Sequence, residues 1–478
     1  MSKRLLPRRM TPRIIALALA AALSACAFNP DRSPVVLELP AGSEVAQVDP
    51  QWWLLFGDPA LTRLVALARA RNADVQLALS RIEEARAALG IASAEQLPRL
   101  DLGASGARQR VSQNGTQRGL SPNPYDSYEF AANASWEIDL WGRVRNQREA
   151  AVEQLRATEL GSATTLLSVS AATAEAYFNL RALDDQVEIA RQTLASREDS
   201  YQLRQKRFKG GMTSELDVRQ AEAELMDARA ALPQLQSSQA QAETALIILT
   251  GASPKEVYGS AAERGPRISA TLPGATGLPA SLPSDLLLRR PDIQSAEAIL
   301  QARRANVQVA RAGYFPRITL TGLFGVQSVE FGDLFKGPSR VWSYAGNLAM
   351  PLFDNGLTAS QVDQARAQEK QALISYEQAV RQSFGDVRIA FSEIAHSRER
   401  ADALAQQTVA LTRQVTLSQL RYDNGYSSYL EVLDAERSQF SAQLQLVSAQ
   451  RDQLISQLTL IKALGGGWRV DLANTAAK

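Results

Sequence analysis

The chain holds one cysteine and one histidine in 478 residues. An intrachain disulfide is excluded, and so is a zinc site built from several Cys or His side chains. A Ser-His-Asp or Cys-His apparatus would have to use His396. That residue lies in the helical stretch Glu393-Ile-Ala-His-Ser-Arg398 and reads as part of a helix surface. No Gly-rich phosphate loop is present either, so a hydrolase would have to run on Asp/Glu pairs alone, and the chain reads as a non-enzyme without a metal. Aromatic residues are 6% of the chain, few for a large globular core. Neither charge sign is in excess: 52 Lys+Arg stand against 50 Asp+Glu, a net charge of +2. Nucleic-acid surfaces normally carry a basic excess, so no nucleic-acid partner is expected.

What is present begins with an address. The first 25 residues carry Lys3, Arg4, Arg8, Arg9 and Arg13 and no acid, followed by a ten-residue apolar run, Ile14 to Leu23. Ten residues are too few to span a bilayer and suit a signal-peptide core. The run ends in Leu23-Ser24-Ala25-Cys26, which resembles a bacterial lipobox. Residues 1–25 then form a lipoprotein signal peptide, with translation starting at Met1 or Met10. Cys26 becomes a lipid-bearing N-terminus carrying diacylglyceryl and N-acyl chains; no other cofactor is expected. Ala27, in place of an Asp, implies export onward to the outer membrane. Loss of the five leader charges leaves 47 basic and 50 acidic residues, a net charge of −3. No Cys remains beyond the anchor, which suits an oxidising periplasm.

The rest of the sequence is one unit written twice. Asp74-Val-Gln76 matches Asp292-Ile-Gln294, and Leu97-Pro-Arg-Leu100 matches Phe315-Pro-Arg-Ile318, at an offset of 218. Further on, Arg207-Phe208-x-x-Gly211 matches Arg421-Tyr422-x-x-Gly425 at an offset of 214. Gly142 already matches Gly356 at 214, so the four-residue difference belongs in a loop between Pro98 and Gly142. The expected organisation is an anchored segment 26–57, repeat 1 over 58–251, a Pro/Gly/Ser-rich linker over 252–281, repeat 2 over 282–467 and a tail over 468–478.

Inside each copy the period changes. Residues 128–140 alternate strictly, with Tyr128, Phe130, Trp136 and Ile138 on one face and Glu129, Glu137 and Asp139 on the other. Trp342, Tyr344, Leu348, Met350 and Leu352 repeat the pattern. Partner strands start at Arg99 and Arg317, giving hairpins over about 99–140 and 317–352. Four such strands, with aromatics towards the ends of the apolar faces, favour lipid contact by that face and water contact by the acidic one.

The remainder is helical. Arg143 to Lys209 and Leu357 to Asn424 each contain one Gly and no Pro. A continuous helix of that length runs about 100 Å. After each long run comes one turn pattern: Gly211 and Gly425 supply a left-handed stop, Ser214 and Ser428 cap the next helix, and Asp217 and Glu431 stand three residues on. The last helix follows a 3-4 spacing from Leu430 through Leu433, Arg437, Phe440 and onward to Ile461, a coiled-coil-like seam.

Four strands cannot close a barrel, and an open edge in lipid leaves backbone groups unpaired at several kcal/mol each. A membrane-crossing sheet must therefore be shared between chains. With these features the chain resembles the outer-membrane efflux protein family, the TolC/OprM-like channels, and within it the lipoprotein branch serving resistance-nodulation-division (RND) pumps. The carriers are Trp136-Glu-Ile-Asp-Leu-Trp-Gly-Arg143, Leu288-Arg-Arg-Pro-Asp292, Phe315-Pro-Arg-Ile-Thr-Leu-Thr-Gly322, Tyr429-Leu-Glu-Val-Leu-Asp-Ala-Glu-Arg437 and Ala463-Leu-Gly-Gly-Gly-Trp468. The resemblance implies a mainly α homotrimer. A twelve-stranded barrel, four strands per chain, would stand in outer-membrane lipid, continued by a periplasmic helical tunnel. A periplasmic membrane-fusion adaptor and an inner-membrane RND transporter would complete a conduit for drugs or other small molecules. It also implies a periplasmic gate, carried onto Leu430 and Asp434 with Tyr422 and Arg437 in support. The alternatives are a type I protein-secretion channel and a lipid-anchored coiled-coil scaffold without a pore. The scaffold explains Cys26 and the helices but not the four strands.

Overall fold

The computed structural model describes residues 51–112, 114, 124–253, 255, 264–268 and 290–466. The signal segment, Cys26, the tail 468–478 and most of the 252–281 linker lie outside the described residues.

A 3-10 turn, Trp52–Phe56, leads into α1 (Pro59–Arg71) and α2 (Ala73–Ala94). Asp58 starts α1 by accepting the Ala60 and Leu61 amides at 2.8 and 3.2 Å. Proline at the first helical position costs nothing there, because its missing N–H would have had no partner. A strand pair follows, β1 (Arg99–Gln109) and β2 (Tyr125–Ile138), then α3 (Arg143–Lys209) and α4 (Glu215–Thr250). The second copy runs α5 (Pro291–Ala312), β3 (Arg317–Ser328), β4 (Arg340–Ala349), α6 (Leu357–Asp423) and α7 (Tyr429–Ala463). Helices α3 and α6 are 67 residues each, about 100 Å long. Helix α3 packs along α2, α4, α5 and α7, and α6 packs along α5 and α7. Among the described residues no helix is long and apolar enough to cross a membrane.

One core joins the start of the chain to the middle of α3. Trp52, Phe56, Leu61, Phe178 and Leu246 are buried in it, as is Ile268 from the segment between the repeats. The Tyr177 hydroxyl sits 2.5 Å from Asp58 Oδ2 and 2.8 Å from the Arg264 carbonyl oxygen. The Ile268 amide donates to Asp185 at 3.1 Å, so residues 264–268 are tied onto α3.

The four strands form one antiparallel sheet in the order β1-β2-β3-β4. Arg99 pairs with Ser135, and Arg317 with Ala349. Arg317 is Arg99 shifted by 218 and Ala349 is Ser135 shifted by 214, so the two hairpins share one register. The four extra residues lie in the β1–β2 loop. Even-numbered residues pair with even-numbered ones across every strand, which puts Leu100, Phe130, Trp136, Leu320, Phe324, Trp342 and Leu348 on one face. The opposite face carries Asp101, Glu129, Asn133, Thr319, Thr321 and Asn347.

Two strand boundaries differ from the alternation. The sheet part of the second copy stops at Ala349, because its partner β3 begins at Arg317 and nothing pairs beyond it. Met350 and Leu352 leave the sheet, and Pro351 has no N–H to donate. In the first copy β2 stops at Ile138. Asp139, expected on the strand's polar face, instead accepts the Val144 and Arg145 amides at 3.2 and 2.8 Å and caps α3. Glu137 keeps its place on that face but is clamped by Arg143 at 2.8 and 2.9 Å.

Candidate functional site

The two helix-to-helix turns are built alike and lie side by side. Helix α3 ends as the Met212 amide donates to the Arg207 carbonyl and Gly211 to Phe208, both at 2.9 Å. Helix α6 ends as Tyr426 donates to Arg421 and Gly425 to Tyr422, again at 2.9 Å. This paired pattern needs a left-handed residue, and Gly211 (φ 71°) and Gly425 (φ 74°) supply it at no steric cost. The entrances to the next helices differ. The Ser214 hydroxyl accepts the Asp217 amide at 3.2 Å. Ser428 holds the corresponding position without a side-chain cap: the Glu431 amide goes to its carbonyl at 3.3 Å and not to its hydroxyl. The expected Ser428 cap is thus a cap by backbone alone. The acids three residues on do not reach back to their serines. Asp217 receives the Thr213 and Tyr422 hydroxyls, the latter at 3.3 Å, and Glu431 meets Arg421 at 3.5 Å.

Side chains from all four helices meet just inside these turns. Arg204 of α3 is 1% exposed. Its guanidinium carbon lies 4.4 Å from the ring centre of Tyr422 and 4.3 Å from that of Tyr429, between the end of α6 and the start of α7. Its Nε and Nη1 have no hydrogen-bond partner among the described residues, and the faces of the two rings stand in for acceptors. One turn pair deeper, Glu224 of α4 is buried and paired with both Arg197 of α3 and Arg437 of α7. Arg197 also lies 3.6 Å from Glu436 of α7. Burial pushes the Glu436 carboxyl above the usual range, against the pull of Arg197, and Glu224 adds to the rise. At the rim Arg207 bridges to Asp423 at 3.2 Å. Asp423 is held below the usual carboxylate range, first by the Gln419 amide and further by Arg207.

The residues singled out in the sequence divide into two sets. Tyr422 and Arg437 belong to this interhelical network. Arg437 reaches across to Glu224 rather than pairing along its own helix with Asp434. Leu430 and Asp434 do not join it: Leu430 is 56% exposed, and Asp434 is exposed one turn away on the same side of α7. The buried face of α7 here is Tyr429, Val432, Leu433 and Ala435. The heptad seam therefore begins at Leu433, and Leu430 points away from its own chain. Asp434 borders an open groove of about 370 Å³ with Arg413, Leu417, Arg421 and Glu431. Sequence reasoning missed Arg197, Arg204 and Glu224. The available signal was the spacing of Ala190, Arg197 and Arg204, seven apart on one buried stripe of α3. His396 is exposed on α6 beside Glu399 at 3.4 Å, and among the described residues no group could hold a metal ion.

Known proteins share this architecture. The family model for outer membrane efflux protein matches residues 64–252 and again 282–466. The probable efflux pump outer membrane protein TtgC of Pseudomonas putida is 32% identical over 472 residues, 96% of each chain. The probable outer membrane lipoprotein SilC of Salmonella typhimurium is 31% identical over 430 residues, 88% of each chain. The crystal structure of the Campylobacter jejuni CmeC outer membrane channel superimposes with a TM-score of 0.84 at 26% identity, covering 91% of this chain and 94% of that one. The chain belongs to the outer membrane efflux protein family.

Proposed function

We propose that three copies of this chain form the outer-membrane exit duct of a tripartite RND-type efflux pump. The observation that carries this reading is the joining of two parts in one chain. A four-stranded sheet with one apolar face, whose two edges pair with no strand among the described residues, is joined to helices about 100 Å long that are too polar for lipid. Twelve strands from three copies leave no edge in the membrane, where each unpaired backbone group costs several kcal/mol. The even-numbered face then meets lipid and the odd-numbered face the water-filled lumen. Cys26 anchors each copy by its acyl chains, in keeping with the lipoprotein name of the SilC relative. Diacylglyceryl and N-acyl together bring three acyl chains to each copy, enough for stable anchoring, so the lipid tethers the chain while the barrel supplies the pore.

The paired turns form the periplasmic end of this duct, and α7 carries the gate. Leu430 and Asp434 lie one turn apart on a surface their own chain leaves uncovered. Threefold symmetry converts them into an apolar ring and an acidic ring, which narrow the passage and favour cations over anions. The network around Arg204 and Glu224 holds α7 and α6 against α3 and α4 and so keeps those rings together. An inner-membrane RND transporter and a membrane-fusion adaptor complete the conduit. Purification of the tagged chain from its own membranes tests the assembly. The expected result is a trimer by native mass with an adaptor and an RND transporter bound after cross-linking. A monomer, or a trimer bound to a type I secretion ATPase system instead, overturns it.

A further inference from the structure

The internal repeat contains information about contacts between chains as well as within one. Within the chain, the first hairpin meets the second where β2 pairs with β3: Tyr128 with Ser328, Phe130 with Val326, Ala132 with Phe324 and Ala134 with Gly322. Among the described residues the outer edges of β1 and β4 pair with no strand. The two hairpins share one register, with β3 equivalent to β1 shifted by 218 and β4 equivalent to β2 shifted by 214. A second copy that continues the sheet by the same step must repeat the β2–β3 junction between β4 and its own β1. Translating each pair through the two offsets sets Trp342 opposite the partner subunit's Arg110 and Tyr344 opposite the partner subunit's Arg108. It also sets Gly346 opposite the partner subunit's Gly106 and Leu348 opposite the partner subunit's Ala104.

Two further observations point to a missing neighbour at this edge. Phe130 and Tyr344 are repeat equivalents, yet Phe130, which has β3 beside it, is 38% exposed and Tyr344 is 82% exposed. The Trp342 and Tyr344 rings are stacked, 5.8 Å apart and 9° from parallel, and open to the side where no strand lies. On the other edge, Arg108 and Arg110 stand exposed near the end of β1. Arg108 has Asp126 at 3.7 Å, a weak hold that leaves its guanidinium free to lie on a ring. Guanidinium groups over Trp and Tyr faces are attracted to the ring quadrupole. Parity agrees as well: even residues meet even residues, so the apolar face runs unbroken from copy to copy, whereas a slip of one residue would turn every side chain to the wrong face.

We infer that the β4 edge binds the β1 edge of a second copy in this register, fastened on the lipid face by Trp342 and Tyr344 against the partner subunit's Arg110 and Arg108. The inference rests on the shared-barrel reading above and adds to it the identity of the contacting pairs. Paired cysteines test it, in full-length protein in outer membranes. Ser343→Cys with Gln109→Cys samples the lumen face, and Leu348→Cys with Ala104→Cys the lipid face. Both lie directly opposite in the inferred register, and directly opposite residues fit the 4.4–6.8 Å Cα range of a disulfide while neighbours two residues along do not (~7–8 Å). Ser343→Cys with Ala107→Cys, and Ser343→Cys with Val111→Cys, are the shifted controls. Oxidation should give covalent dimers and trimers from at least one opposed pair, with at least tenfold less from the controls. Better cross-linking of a control in a protein that is a trimer by native mass overturns the register and leaves the trimer standing. A trimer in which no pair cross-links also overturns the register. No cross-link together with a monomeric native mass overturns the shared barrel itself.

Discussion

The guanidinium carbon of Arg204 lies 4.3 Å from the ring centre of Tyr429, and the same group faces Tyr422 on its other side at 4.4 Å. A single cation on α3 thereby joins the last turn of α6 to the first turn of α7 and holds both long helices at the turn end. Removing it leaves the buried Tyr429 ring and the half-buried Tyr422 ring facing an empty slot. Arg204→Ala should cost about 2 kcal/mol or more, the value of a desolvated cation–π contact. Arg204→Lys should fall between wild type and Ala, because an ammonium keeps the charge but loses the flat stacking surface. Thermal melting by circular dichroism checks the order. Equal melting of all three proteins would show that the stack holds nothing.

Glu436 supplies a pH dependence. Its folded carboxyl is raised above the ordinary value, chiefly by burial and against the attraction of Arg197. The folded chain therefore binds this proton more readily than the unfolded chain does. The contribution of Glu436 to stability falls as pH rises from the ordinary carboxylate range through the raised value, and returns as pH is lowered again. Glu436→Gln should flatten that part of the melting-temperature profile. An unchanged profile would mean that Glu436 titrates as an exposed acid.

The two faces of the sheet should tolerate charge unequally. Phe324 is on the apolar face, between Ala132 and Trp342, and Asn133 is on the polar face, between Asp101 and Leu323. Phe324→Arg should cost about 2–4 kcal/mol in bilayer refolding, and Asn133→Arg much less. Equal costs would contradict the assignment of faces.

Cys26 should carry lipid. Mass spectrometry of the mature N-terminus should find a diacylglyceryl group and an N-acyl chain on it, and Cys26→Ser should leave the pore intact. An unmodified Cys26 would remove the anchor from the account.

The sequence disclosed most where one period repeats without exception. Alternation located all four strands, and the 218 and 214 offsets already contained the equal register of the two hairpins. The strand ends were less legible, because they are set by what lies opposite. Pairing stops at Ile138 where Ile318 ends its match, and Asp139 is drawn away by the bare amides of α3. The turns were legible from Gly211 and Gly425, since only a left-handed residue closes that hydrogen-bond pattern. Arg204 and Glu224 were not. A charged residue on a long polar helix looks solvated until the neighbouring helices are known, and their repeat equivalents, Ser418 and Ser438, gave no hint of a charge. Leu430 was ambiguous for the opposite reason. Its spacing fits the α7 seam, and only its 56% exposure separates it from Leu433, which is 1% exposed.

Single-channel recording in planar bilayers tests the central claim, a duct gated by Leu430 and Asp434. The comparison needs three proteins: wild type, Leu430→Ala with Asp434→Ala, and the matched pair Leu216→Ala with Gln220→Ala in the first copy. The account predicts a small conductance for wild type and for the first-copy mutant. For the Leu430/Asp434 mutant it predicts a conductance several-fold larger with weaker cation preference, together with vancomycin sensitivity in cells. Equal conductance in the two double mutants would place the gate elsewhere, and no conductance from any of the three would contradict the duct itself.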